Sequence, residues 1–159
     1  MAKKRFYITT PIYYPSGNAH IGHAYCTTLC DVFARYKRMR HYECYFLTGT
    51  DEHGQKIEQS AKKNNEKEQE FVDRISLRFR DLIKLMDYQP TQFETLNDNF
   101  IRTTMPCHKA FVQDVWRVMV KNDWIYEGVY SGWYCVSDEA YYDESELDGF
   151  NSDFEDNNL

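Results

Sequence analysis

At 159 residues, with 42% hydrophobic and 16% aromatic side chains, the chain has room for one cored domain and the start of a second, which excludes wholesale disorder. No apolar run approaches the ~20 residues of a membrane helix, and Met1-Ala2-Lys3-Lys4-Arg5-Phe6 leads directly into a strand, so neither a membrane partner nor a secretory signal is expected. The net charge of −6 is unevenly spread: residues 1–121 carry +5, which suits a phosphate-rich partner, and residues 122–159 carry −11, which reads as a solvated end.

Arg5-Phe6-Tyr7-Ile8-Thr9-Thr10 reads as a buried strand. Two prolines, a glycine and an asparagine between Pro11 and Asn18 force a tight turn. A helix beginning near His20 carries Ile21, Tyr25, Leu29, Val32, Phe33, Tyr36 and Met39 on one apolar face, with Arg35, Lys37, Arg38 and Arg40 near its negative end. Glu43-Cys44-Tyr45-Phe46-Leu47-Thr48 is a second strand, and strand, helix, strand is a βαβ unit with parallel strands. Ligands of such sheets bind beyond the carboxyl ends of the strands, so the turns at 11–19 and 49–54 are expected to meet there.

Gln55–Asn65 is a polar helical stretch, and Phe71, Ile75, Phe79, Leu82 and Met86 form a second apolar stripe. Pro90 and Asn97-Asp98-Asn99 mark a loop, Phe100-Ile101-Arg102 a short strand, and Thr103 or Thr104 with Pro106 a helix start. That helix uses Phe111, Val115, Val118 and Met119 as its apolar face. From Trp124 the pattern changes to short aromatic pieces broken by glycine, Ile125-Tyr126, Gly128-Val129-Tyr130 and Gly132-Trp133-Tyr134-Cys135-Val136, which predict a hairpin or small sheet. The expected division is therefore 1–122, 123–147 and an acidic 148–159 without fixed structure.

Five scattered cysteines, Cys26, Cys30, Cys44, Cys107 and Cys135, argue against a disulfide framework and for a reducing setting. A strand, a tight turn and a helix start aim backbone N–H groups at an anion, and His20-x-x-His23 adds imidazole donors on one helical face. Gly22 between them leaves space where a flat base could approach the backbone. Histidines so spaced also bind zinc, with Asp51, Glu52 and His53 as further donors, or serve structure alone. Asp51, in Asp51-Glu52-His53-Gly54 after a Thr-Gly-Thr turn, can hold a cationic ammonium or cap the next helix. Of Tyr13 and Tyr14, one is expected in the core and the other in a binding turn.

Together these stretches resemble the methionyl-tRNA synthetases, class I aminoacyl-tRNA synthetases. Thr9-Thr10-Pro11-Ile12-Tyr13-Tyr14-Pro15-Ser16-Gly17-Asn18 followed by His20-Ile21-Gly22-His23 is similar to the family's H-I-G-H signature, and Leu47 to Ile57 to its second signature. Phe100-Ile101-Arg102-Thr103-Thr104 and Tyr130-Ser131-Gly132-Trp133-Tyr134 are similar too. The resemblance implies the first half of an α/β, Rossmann-type catalytic domain with the start of a small β-rich connective insertion. It implies activation of methionine by ATP with magnesium, and transfer to tRNA-Met in the complete enzyme. His20 and His23 would be catalytic and hold ATP with Gly22; Ile12, Tyr14 and Asp51 would bind methionine. A cytoplasmic location is expected, and a mitochondrial pool is compatible with it.

The chain departs from the pattern in four places. It has no K-M-S-K-S sequence, so this piece alone is expected to show little activity; the alternative is a non-catalytic, synthetase-like binding or assembly module. Asp138 stands where some relatives complete a C-x-x-C with Cys135, so no zinc is expected. His41 replaces a frequent glycine after the first helix, and residues 93–99 look like an insertion.

Overall fold

Arg5–Thr9 forms strand β1 and Glu43–Leu47 strand β2, parallel, with Arg5 opposite Glu43 and Thr9 opposite Leu47. Parallel neighbours need a crossover, and helix α1 (Ile21–Met39) supplies it. This computed structural model describes residues 4–89 and 100–147. The loop at Pro90, the insertion at 93–99 and the acidic segment 148–159 lie outside the described residues.

Only Thr48 separates β2 from β3 (Gly49–Thr50), which pairs in parallel with β4 (Ile101–Arg102). Hydrogen bonds carry the ladders across this joint. The Thr10 N–H donates to Leu47 O (3.1 Å), the Ile101 N–H donates to Thr48 O (3.0 Å), and Tyr13 bridges Thr50 in parallel. The architecture is α/β with parallel strands, as the periodicity predicts. Two details differ from the sequence reading. Thr48-Gly49-Thr50 continues the sheet instead of turning, because Gly49 serves close strand approach: a Cβ there would lie 2.0 Å from Ile101 O. Strand β1 is also less buried than expected, since Phe6 and Ile8 are half-buried while Arg5, Tyr7 and Thr9 are exposed.

The face that α1 buries is not its apolar stripe. Thr27, Asp31 and Ala34 are the buried residues of the helix, small enough to let it lie close on the strands. Ile21, Tyr25, Leu29, Val32, Phe33, Tyr36 and Met39 are all exposed. At its end, His41 N–H donates to Arg38 O and Tyr42 N–H to Lys37 O, the paired bonds of a left-handed helix stop. His41 sits at φ 62°, where a non-glycine residue costs about 1 kcal/mol.

The core lies against helices α2 (Gln55–Lys63) and α3 (Glu68–Leu85). Phe71, Ile75 and Phe79 of the predicted stripe pack there with Val72, Ile57, Ala61, Tyr13 and Phe100. Leu82 is half-buried and Met86, beyond the helix end, is exposed. The chain after α3 is stitched to α1: Tyr88 OH donates to Ala24 O (3.0 Å), and the Gln89 N–H donates to the buried Asp31 carboxylate (2.8 Å).

Helix α4 (Pro106–Lys121) starts with proline at its first position, where a missing N–H costs nothing. None of its residues is buried, so the stripe of Phe111, Val115 and Val118 is open, against expectation. By packing, the chain divides into Met1–Trp116 and Arg117–Leu159; the sequence reading placed the change near Asn122. The second unit contains a hairpin of β5 (Trp133–Cys135) and β6 (Ala140–Tyr142), antiparallel, as predicted. Ile125-Tyr126 and Gly128-Val129-Tyr130 form no strand, because no ladder reaches them among the described residues. No helix among the described residues is long and apolar enough to cross a membrane.

Candidate functional site

The turn at 15–17 delivers the chain to a helix start built from two imidazoles. His20 is the N-cap of α1: its Nδ1 accepts the Gly22 N–H at 3.1 Å. The His23 Nδ1 in turn accepts the His20 N–H, also at 3.1 Å. The two rings lie 3.8 Å apart, centroid to centroid. A nitrogen that accepts a backbone N–H carries no proton, so both neutral rings hold theirs on Nε2. Burial pushes the His23 pKa below its ordinary 6.5, and the neighbouring His20 adds to the effect. The outcome is a pair of imidazoles, each with its Nδ1 held by a backbone N–H, beside the positive end of a helix dipole.

Tyr13 fixes this helix start to the sheet edge. Its N–H donates to Gly49 O and its C=O accepts the Asp51 N–H, both at 2.9 Å. Its ring is buried against Phe79 and meets the His23 ring edge-on at 4.6 Å. Its hydroxyl lies 3.0 Å from Thr27 Oγ1, and burial raises its pKa. Since neighbours alternate along an extended chain, Ile12 and Tyr14 face the other way and are exposed. Tyr13 is thus the core member of the tyrosine pair. Asp51 is half-buried one step along the ladder, with Thr103 Oγ1 donating to its Oδ1 at 3.4 Å. It does not cap the next helix: the N-cap of α2 is Gly54, at φ 109°, without a side-chain cap.

Ile12, Tyr14, His20 and His23 line one cleft of about 410 Å³, together with Tyr13, Ser16, Gly17 and Asn18. Gly22 and Asp51 do not line it. Gly22 lies under the His20 ring, where a Cβ would come 2.9 Å from His20 Cε1. Asp51 joins through its backbone bond to Tyr13. The alternative metal arrangement does not assemble. Both Nδ1 atoms are taken, Glu52 is paired with Arg102, His53 is exposed, and no three ligating side chains converge among the described residues.

A family profile described as tRNA synthetases class I (M) matches residues 6–154. The chain belongs to that family. The methionine–tRNA ligase of Listeria monocytogenes EGD-e is 51% identical over 146 residues, which cover 92% of this chain and 21% of that protein. The Lactiplantibacillus plantarum methionine–tRNA ligase is 50% identical over 145 residues, 91% of this chain and 20% of that protein. The chain therefore spans about a fifth of the length of these curated relatives. Among solved structures, Mycobacterium tuberculosis methionyl-tRNA synthetase bound by methionyl-adenylate matches with a TM-score of 0.81 and 38% identity, covering 92% of this chain and 28% of that one. An Agrobacterium radiobacter LeuRS in complex with tRNA and LeuAMS matches with a TM-score of 0.74 at 22% identity, over 86% of this chain and 17% of that one, a likeness of fold alone.

Against this class I synthetase background, the sequence reading missed one group of residues. Glu52 is buried, and its Oε1 accepts from Thr50 Oγ1 (2.7 Å) and Arg102 Nε (2.6 Å), while Thr104 Oγ1 donates to its Oε2. Arg102 also donates through Nη2 to Asp73 of α3. Burial pulls the Arg102 pKa down, but its hydrogen bonds to Glu52 and Asp73 outweigh it and the net shift is upward. Burial likewise pushes Asp73 up, yet the bonds from Arg102 and Gln69 hold it below the ordinary carboxylate value. No local pattern marks this network, because its members come from three distant segments of the chain. In the hairpin, the Asp138 carboxylate accepts from Cys135 Sγ (3.2 Å) and Tyr142 OH (3.1 Å), so it bonds to the thiol at this class I position.

Proposed function

We propose that this chain supplies the methionine-binding and H-I-G-H part of a methionyl-tRNA synthetase active site. In the reaction so assigned, the methionine carboxylate attacks the α-phosphorus of magnesium-bound ATP. Methionyl-adenylate forms and pyrophosphate leaves; the methionyl group then passes to the terminal adenosine of tRNA-Met. His20 and His23 present Nε2–H donors to the phosphates as charge builds there, and the backbone bonds to their Nδ1 atoms fix the rings as donors. Gly22 goes to the adenine side by family resemblance, and here its missing Cβ makes room for the His20 ring. Asp51 holds the methionine ammonium, the Ile12 backbone positions it, and Tyr14 packs on its side chain. The nucleophile is already an anion, so positioning and charge stabilisation carry the step and no general base is needed.

The observation that carries this reading is the junction at Tyr13, whose backbone joins the histidine turn to the Asp51 segment at one sheet edge. The match to a synthetase bound by methionyl-adenylate supports it. Calorimetric titration of the chain with methionine and with magnesium-ATP tests it. Wild type is expected to bind both, and Asp51→Ala to weaken methionine about tenfold or more, the loss of one charge-assisted contact. Pyrophosphate exchange is expected to stay near background. Absence of methionine affinity in wild type would sink the site assignment, and robust exchange would overturn the reading that this chain holds only part of the machinery.

A further inference from the structure

The residue assigned to the methionine ammonium sits between two buried, hydrogen-bonded neighbours. Thr50 has no exposed surface, and Glu52 is buried with both carboxylate oxygens hydrogen-bonded. Its main counter-charge, Arg102, belongs to the adjacent strand and reaches on to Asp73 of α3, so sheet and helix are tied through one guanidinium. A buried carboxylate so satisfied resists displacement, because moving it would strand a charge. Only Asp51 of this trio retains access to solvent at its side chain.

Thr103 links that rigid frame to Asp51. Its Oγ1 accepts the Glu52 N–H at 2.8 Å, which leaves the hydroxyl proton to point elsewhere. The carboxylate within reach is Asp51, at 3.4 Å. The backbone does the same on both sides: the Thr103 N–H donates to Thr50 O (3.2 Å), and the Asp51 N–H donates to Tyr13 O (2.9 Å). One hydroxyl thus reads the position of Glu52 and imposes it on Asp51.

We propose that Thr103, backed by the Glu52–Arg102 ion pair, is a positioning residue that sets the rotamer of Asp51 for an incoming ammonium group. In this role it acts through Asp51 alone. The idea rests on the assignment of Asp51 to the amino-acid ammonium, and the test separates the two. Thr103→Val keeps the volume and removes the hydroxyl; Thr103→Ser restores it. Three-bond NMR couplings report the Asp51 χ1 rotamer without ligand, and calorimetry reports methionine and magnesium-ATP affinity in the 159-residue chain.

The expected result is a single Asp51 rotamer in wild type and Thr103→Ser, and averaging in Thr103→Val. Methionine binding should weaken about tenfold in the valine variant with ATP binding unchanged, and recover with serine, as loss of one hydrogen bond implies. A fixed Asp51 rotamer in Thr103→Val would overturn the proposal, as would equal loss of methionine and ATP affinity. If wild type binds no methionine while the rotamer responds as described, the positioning role stands and the ligand assignment falls.

Discussion

At the scale of single residues, the site depends on where two protons sit. Each histidine caps the helix through an unprotonated Nδ1, and protonating either nitrogen replaces an acceptor with a second donor facing a backbone N–H. For His23 the sign of the pH effect follows from burial. Its folded pKa lies below the 6.5 of the free side chain, so the unfolded chain takes up the proton first. Its share of stability is intact above that value, and is lost as pH falls from 6.5 through the folded pKa. The denaturation midpoint is accordingly expected to fall between about pH 8 and about pH 5. The comparison that isolates the cap is His23→Gln, which removes the Nδ1 acceptor of the His20 N–H. That variant should show a shallower decline than wild type; identical slopes would mean that the cap does not govern the titration.

At the scale of elements, the strands lie closer together than most side chains allow. Gly49 runs so near β4 that an added methyl would strike the Ile101 carbonyl, oxygen and carbon, at 2.0 and 2.8 Å. Neither atom can rotate away. Gly49→Ala is therefore expected to push β3 from β4 and to destabilise the chain by about 3 kcal/mol or more, with chemical denaturation as the measurement. An alanine variant within about 0.5 kcal/mol of wild type would show that the strands are not so tightly paired. The same glycine shows what the sequence did and did not reveal. Thr-Gly-Thr looks like a turn because glycine is a turn residue, and only the partner strand, fifty positions away, makes it an extended one. Elements with strong local patterns were legible: β1, α1, β2, α3 and the first hairpin strand, β5, lie close to where the pattern put them, whereas β6 fell outside the predicted pieces. The His20–His23 pair and Asp51 stood out as candidates by spacing and by position at the strand ends, and the structure brings their segments to one sheet edge through Tyr13. The Glu52–Arg102–Asp73 network was not, since it is made by contacts between three distant segments, none with a local signature.

At the scale of the whole chain, the outstanding fact is an apolar surface left exposed among the described residues. Helix α1 turns Thr27, Asp31 and Ala34 inward and shows Tyr25, Val32, Phe33 and Tyr36 to solvent, each at least half exposed. Amphipathic spacing alone could not reveal this, because it identifies a face without saying what the face meets. Here the narrow, small-residue side gives the closer fit to the strands, and the larger stripe is left over. Patches of this extent are uncommon on isolated soluble chains and drive association or dye binding. The 159-residue chain is expected to enhance the fluorescence of ANS and to sediment as a concentration-dependent mixture. Replacing Phe33 and Tyr36 together by glutamate should suppress both effects. Their side chains are exposed, so the melting temperature should change little, within about 0.5 kcal/mol of stability. The two readouts together separate surface from core. Lost dye binding with preserved melting locates the sticky surface on α1, whereas a large drop in melting temperature would show that this stripe is packed in solution and that the helix presents another face.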